Sequence, residues 1–364
     1  MENKLNFLEA SFLIIIVMIA HVISDLPNDI INNYGSASIL NIAFVLIILT
    51  MFFLIINKLF SPFEGKNIIH VAHFVGGNFL KISLSFIYIV YLIMASGVLI
   101  RGFAEMLKVI YFPKASLISI LCIFSLVALI ANQYGKNSVV KVNTLIVPQV
   151  LISVIIIFIS SFNKFDYNAI FPILGNGAKS TFLIGSTSIY AFGGLFYLYL
   201  IRPNLKNYKD YKKVGIISIL ISGIFLLLSV ASVLMLFPYL ITGKQSLSAY
   251  LSTRTIEYGR FLQRSDAIFM FNWIFTFLCY LSVIIYYLNK LTLDGFGSKK
   301  NFSYLYSILI VIVALIPQNI TQLEFLKYKF YKYFALILIF GINFLILLLG
   351  YFKKKKYGGA KNEY

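Results

Sequence analysis

Charge is scarce in this chain, and what there is leans one way. Charged residues make up 12% of its 364 positions, against about 25% in an ordinary soluble domain. Thirteen are acidic and 31 are Lys or Arg, for a formal net charge of +18. Histidine is rarer still, at three, and so few titratable groups exclude a dense proton relay. The two cysteines, Cys122 and Cys279, both lie in apolar runs, which leaves neither a disulfide framework nor metal-ligand spacing. No GxxxxGK[ST] loop is present, so no ATP-driven pump is expected. No GxSxG element or acid pair suggests hydrolysis. Enzymatic activity is therefore not expected, and no metal and no cofactor is implied. The first apolar run lacks a small-residue cleavage site and is expected to stay as a span.

What the chain does have is long apolar runs. It is 60% hydrophobic, with a mean hydropathy of +0.88. That composition describes an all-α integral membrane protein, because a helix satisfies its own backbone in lipid. The positive residues sit mostly between the runs, which points to topology and anionic headgroups rather than nucleic acid. Ten runs are long enough to span: 7–30, 38–57, 80–107, 114–132, 139–161, 181–201, 215–240, 265–289, 303–319 and 332–352. With the N-terminus inside, the larger share of Lys and Arg also falls inside, Lys353 to Lys356 among them, and both termini are cytoplasmic. The expectation is one transporter-like domain over residues 1–364. Its pseudo-repeats run 7–161 and 181–352, and residues 353–364 form a basic cytoplasmic tail.

Two of the ten runs are poorly built as helices. In Thr181 to Pro203, Ser186, Thr187 and Ser188 lead into Tyr190, Ala191, Phe192 and the pair Gly193–Gly194. Adjacent glycines cost a helix roughly 1 kcal/mol each relative to Ala. Such a break is tolerated where it lines a cavity, as in the discontinuous helices of transporters, or where a neighbouring helix approaches closely. The first run is disturbed past its middle by His21, Ser24, Asp25 and Pro27. Asp25 reads either as a headgroup-level residue or as part of a site, and His21 either as a satisfied interior histidine or as a site residue. Five runs precede residue 170 and five follow, and each half opens with an irregular helix. That is the pattern of an inverted 5+5 repeat with broken first and sixth helices.

Other features are less pointed. Residues 61–80 read as a short amphipathic helix at the inner surface. Arg101 and Glu105 have the spacing of a pair on one helix face. Pro148 frees a carbonyl in the fifth run, which Gln149 either satisfies or leaves while facing the cavity. The connection 241–264 reads as a lid, a partner surface or a solvated loop. Asp266 suits the first turn of the eighth run.

The stretch Arg260 to Tyr287 resembles the eighth-span signature of B subunits of spore-germinant receptors. It carries Arg264, Asp266, Ala267, Ile268, Phe269, Trp273 and Ile274. The break at Leu26–Pro27, the run FPILGNG from Phe171 and the run SPFEGK from Ser61 agree with that pattern. Ala20–His21 departs from it, since such proteins often have glycine there, and Ser265 interrupts the signature. The family is similar to amino-acid/polyamine/organocation transporters, so the resemblance implies a LeuT-like fold. It also implies a subunit of the endospore inner membrane that recognises a small nutrient germinant, an amino acid by expectation. The implied partners are an A subunit and a lipoprotein C subunit. On this reading the ligand site lies between the first, third, sixth and eighth spans. Its expected lining is Ala20, His21, Val22 and Ile23; Tyr91, Met94 and Ala95; and Tyr190, Ala191, Phe192, Gly193 and Gly194. The competing expectations are a secondary amino-acid permease with the same cavity, and a structural membrane scaffold.

Overall fold

The computed structural model describes residues 4–23, 26–175, 177–183, 192–237, 248–254 and 265–359. The helices are α1 (Phe7–Ile23), α2 (Leu26–Tyr34), α3 (Ser38–Leu59), α4 (Ile68–Ile110), α5 (Leu117–Gln133), α6 (Lys136–Ser161), α7 (Leu195–Ile201), α8 (Tyr211–Leu236), α9 (Ser248–Arg254), α10 (Ser265–Phe296), α11 (Ser303–Leu315), α12 (Ile320–Lys329) and α13 (Asn343–Gly359). Six helical stretches among the described residues are long and apolar enough to cross a bilayer. A seventh is added if Ser303–Leu315 and Ile320–Lys327, bent by 116°, count as one. Helices α1 and α5 are apolar but 17 residues each, at the short end for a span. By this measure the expected total of ten is not reached, and the centre of the sixth run, 184–191, lies outside the described residues.

The first run breaks where the polar residues begin. Helix α1 stops at Ile23, and α2 restarts at Leu26 with Pro27 in its first turn, where proline's missing N–H costs nothing. Helix α1 is apolar on every side and therefore central; it packs against α6, α8 and α10. The sixth run is also discontinuous. A π-helical turn at Lys179–Leu183 opens it, and among the described residues regular helix resumes at Leu195.

The amphipathic segment at 61–80 is more than a surface helix: it runs into the third span. Helix α4 starts at Ile68 and bends at Gly76–Gly77. Gly77 has φ +67°, a left-handed backbone that favours glycine. Beyond the bend, α4 lies between α10, α11 and α13. Phe103 of α4 stacks on Phe277 at 4.1 Å and meets Trp273 edge-on at 5.1 Å, so the aromatic half of the eighth-run signature serves as core. Arg101 donates to Glu105 at 2.7 Å and to the Ala314 carbonyl at 3.0 Å. The expected pair exists, and it also caps α11 just before the 116° bend. Gln149 is exposed on α6, so it does not face the cavity; Asn143 and Val147 take the inward face of that helix.

One end of the bundle gathers the N-terminus, the connections around 60–67, 202–206 and 290–303, and the end of α13. Leu5 pairs with the chain after α7, donating to Asn204 O at 2.7 Å and accepting from Lys206 N at 2.8 Å. Arg202, 4% exposed, donates to the carbonyls of Phe60 and Phe63 at 2.8 and 2.9 Å. Its guanidinium sits over the rings of Phe60 and Tyr211 at 4.8 and 4.9 Å. Residues 353–359 continue α13 as helix. Lys353 donates to the Phe74 and Val75 carbonyls, and Lys354 bonds Pro62 O.

At the same end Asn67 caps α4, accepting from His70 N at 3.2 Å, and donates to Asp294 of α10 at 2.6 Å.

Candidate functional site

The two broken runs meet. At the start of α7, Gly194 lies so close to α1 that a Cβ there would fall 2.4 Å from Met18 Cγ. Met18 is buried, and a methyl group at residue 194 would displace it. Of the two explanations for the glycine pair, close approach of a neighbouring helix therefore holds at Gly194, and the neighbour is the other interrupted helix. Phe196 and Tyr197, one turn on, form an aromatic wall. Phe196 touches Tyr88 and Tyr91 of α4, with centroids 4.4 and 5.3 Å apart. Tyr197 meets Tyr287 of α10 at 4.8 Å.

On α1, His21 Nδ1 lies 2.8 Å from Val17 O, and its ring meets Tyr280 of α10 edge-on at 5.7 Å. The histidine is thus tied back to its own helix and presents its ring edge to the eighth run. Ala20, Val22 and Ile23 are buried beside it. On α4, Tyr91 is buried and stacks near Phe334 at 5.9 Å, Ala95 is buried, and Met94 is half-buried. Phe192, Gly193 and Gly194 lie at the start of α7. Tyr190 and Ala191, like Asp25, lie outside the described residues. The segments that carry the expected lining thus touch one another or α10: α7 meets α1 at Met18 and α4 at Tyr88 and Tyr91, and α1 meets α10 at Tyr280.

Three residues of that region went unnamed by sequence reasoning: Tyr280, Tyr287 and Phe196. Tyr287 is fully buried and its hydroxyl finds no hydrogen-bond partner among the described residues. A buried hydroxyl without a partner is uncommon, and it gives an otherwise aromatic wall a polar point. Its signal in the sequence was weak, because α10 is aromatic throughout and a tyrosine there has no distinguishing spacing.

At the opposite end of α10, Asp266 accepts from Tyr250 of α9 at 3.2 Å and from Tyr111 at the end of α4 at 3.4 Å. These bonds tie the one described helix of the 241–264 connection to α10 and to the end of α4. Asp266→Ala should speed protease cleavage of that connection several-fold at unchanged membrane abundance. Cleavage at the parental rate would show that the aspartate does not hold the connection down.

A family model described as spore germination protein matches residues 4–323. Spore germination protein KB of Bacillus subtilis (strain 168) is 26% identical over 200 residues, covering 53% of each chain. Spore germination protein B2 of the same organism is 26% identical over 229 residues, covering 62% of this chain and 61% of that one. The chain thus matches about half to three fifths of the length of these two relatives. Spore germination protein XB of Bacillus anthracis is 20% identical over 282 residues, 77% of this chain and 79% of the relative. A solved Na+-coupled sialic acid symporter, substrate-bound and outward-open, superimposes with a TM-score of 0.63. At 12% identity it covers 96% of this chain and 77% of its own. That likeness establishes the LeuT-like transporter fold expected from the two broken helices.

Proposed function

This chain belongs to the spore germination protein family, and we propose that it is the membrane B subunit of a nutrient germinant receptor. A small germinant, an amino acid by the family resemblance, binds between α1, α4, α7 and α10. Its lining is Ala20 to Ile23; Tyr91, Met94 and Ala95; and Tyr190 to Gly194. Backbone N–H groups at the start of α2 suit a carboxylate, and the aromatic wall of Tyr91, Phe196 and Tyr197 suits the rest of a compact ligand. The observation that carries this reading is the contact of Gly194 with Met18. It sets the start of α7 against α1, the two interrupted helices, so a ligand beside this contact touches both halves of the domain. Binding shifts the balance between cavity states, and the A subunit and lipoprotein C subunit read that shift. The subunit lies in the endospore inner membrane with both termini cytoplasmic. It is a transporter-like protein and not an enzyme.

The test uses spores of a deletion strain exposed to amino acids, sugars and salts while refractility is recorded, with uptake of the same compounds measured in growing cells. Loss of response to one nutrient class at unchanged uptake is the expected result. Normal germination with reduced uptake would make the chain a permease and overturn the receptor reading.

A further inference from the structure

At the end of the bundle that holds both termini, a cleft of about 420 Å³ opens between α5, α6, α10 and α11. Lys136 stands on one wall, Lys290 on another, and Lys299 and Lys300 on the connection between α10 and α11. No acidic residue lines it among the described residues. Asp294 lies 3.6 Å from Lys290, and its other oxygen accepts from Asn67.

The frame of the cleft is fixed by amide side chains. Asn132 donates to Ala128 O and to Ser282 O, at 2.9 and 3.0 Å, and so ties α5 to α10. Asn289 donates to Ser303 Oγ at 2.8 Å and accepts from Phe302 N at 2.8 Å, which holds the start of α11. Asn301 accepts from Ser303 at 3.0 Å through its backbone N–H and at 2.6 Å through its hydroxyl. The lysines therefore surround a preformed volume. Lys290 is already paired with Asp294, while Lys299 and Lys300, adjacent and exposed at the rim, repel each other unless an anion enters. Tyr134, 76% exposed beside the rim, has the character of a residue at the membrane–water boundary.

We propose that this cleft binds a phosphate group, carried by an anionic lipid headgroup or by a soluble phosphate. Basic pockets between transmembrane helices at the cytoplasmic side hold such headgroups by this arrangement. A carboxylate alone would leave most of the volume empty. Helix α10 runs unbroken from Asp266 past Tyr280 to the cleft, so an anion bound here fixes the inner end of the helix that walls the central region.

The full chain, purified and placed in phosphatidylcholine nanodiscs with and without phosphatidylglycerol, tests this by native mass spectrometry of retained lipid. In parallel, inorganic phosphate is titrated against thermal unfolding in phosphatidylcholine alone. The variant is K299Q/K300Q and the control is K212Q/K213Q, two exposed lysines elsewhere. Lysines 299 and 300 are also exposed, so their loss leaves the fold intact; K136Q gives an independent variant on the opposite wall. The expected result is selective phosphatidylglycerol retention that weakens roughly thirtyfold in K299Q/K300Q, from the usual contribution of two lysines at an anionic surface, and holds in the control. Protection by inorganic phosphate that also displaces the lipid supports the proposal with a soluble source. Equal loss in variant and control, or neither lipid retention nor phosphate protection, overturns it.

Discussion

Spores carrying Gly194→Leu should fail to respond to the nutrient that the parent senses, while the protein stays in the membrane. A Cβ at residue 194 already falls 2.4 Å from Met18 Cγ, and leucine adds three carbons beyond it. Overpacking a filled site costs roughly 1–3 kcal/mol, which a well-buried bundle survives. What changes is the register of α7 against α1, because the buried Met18 must be displaced. Gly194→Ala should give a partial loss, and pairing it with Met18→Ala should restore much of the response, since the second change removes the atom in the way. Rescue of this kind separates a steric effect at the junction from general damage. A full response in Gly194→Leu spores would mean that the junction of the broken helices does not control germination.

The largest loss of stability should come from Arg202→Ala. Its guanidinium satisfies two buried carbonyls, Phe60 O and Phe63 O, and lies between two aromatic faces. Removing it takes from each carbonyl one of two hydrogen bonds, the other coming from Phe63 N or Lys66 N; it forfeits two bonds to a charged group, about 1.5–3 kcal/mol each, and cation–π attraction of about 1–2 kcal/mol. The sum, about 4 kcal/mol, is a large fraction of a domain's stability. The variant should be nearly absent from membranes at growth temperature. Arg202→Lys should recover only part of this, because a single ammonium cannot stack on both rings and bond both carbonyls. Parental abundance of Arg202→Ala would show that the hub contributes little.

Much of the architecture was legible in the sequence, and for identifiable reasons. Pro27 and the glycine pair announced both breaks, because each is a local cost visible without any partner. The stretch 61–80 announced its amphipathicity but not its continuity with the third span, since a helix bent at Gly77 and two separate helices share one pattern. The proposed lining on α1 and α7 was chosen because those residues flank the breaks, whereas Tyr91, Met94 and Ala95 of α4 entered with the family resemblance. Tyr280 and Tyr287 were missed because their significance is lateral. They matter through His21 and Tyr197, far away in sequence, and nothing in an aromatic helix distinguishes the face that meets them. Gln149 failed for the complementary reason: a polar residue beside a proline suggests an inward face, yet the register of α6 turns Asn143 and Val147 inward instead. The lysine cleft was invisible as a site because its residues come from two separate connections and read there only as topology signals.

On the proposed function, a nutrient binds where the broken helices meet. The most direct test is calorimetric titration of the purified chain in nanodiscs with the nutrient that the deletion spores fail to sense. The account predicts saturable binding in the parent, lost in Gly194→Leu and weakened about tenfold or more in Tyr91→Ala, whose ring lies against Phe196 in the aromatic wall. Equal binding by parent and both variants would place the ligand elsewhere and contradict the account.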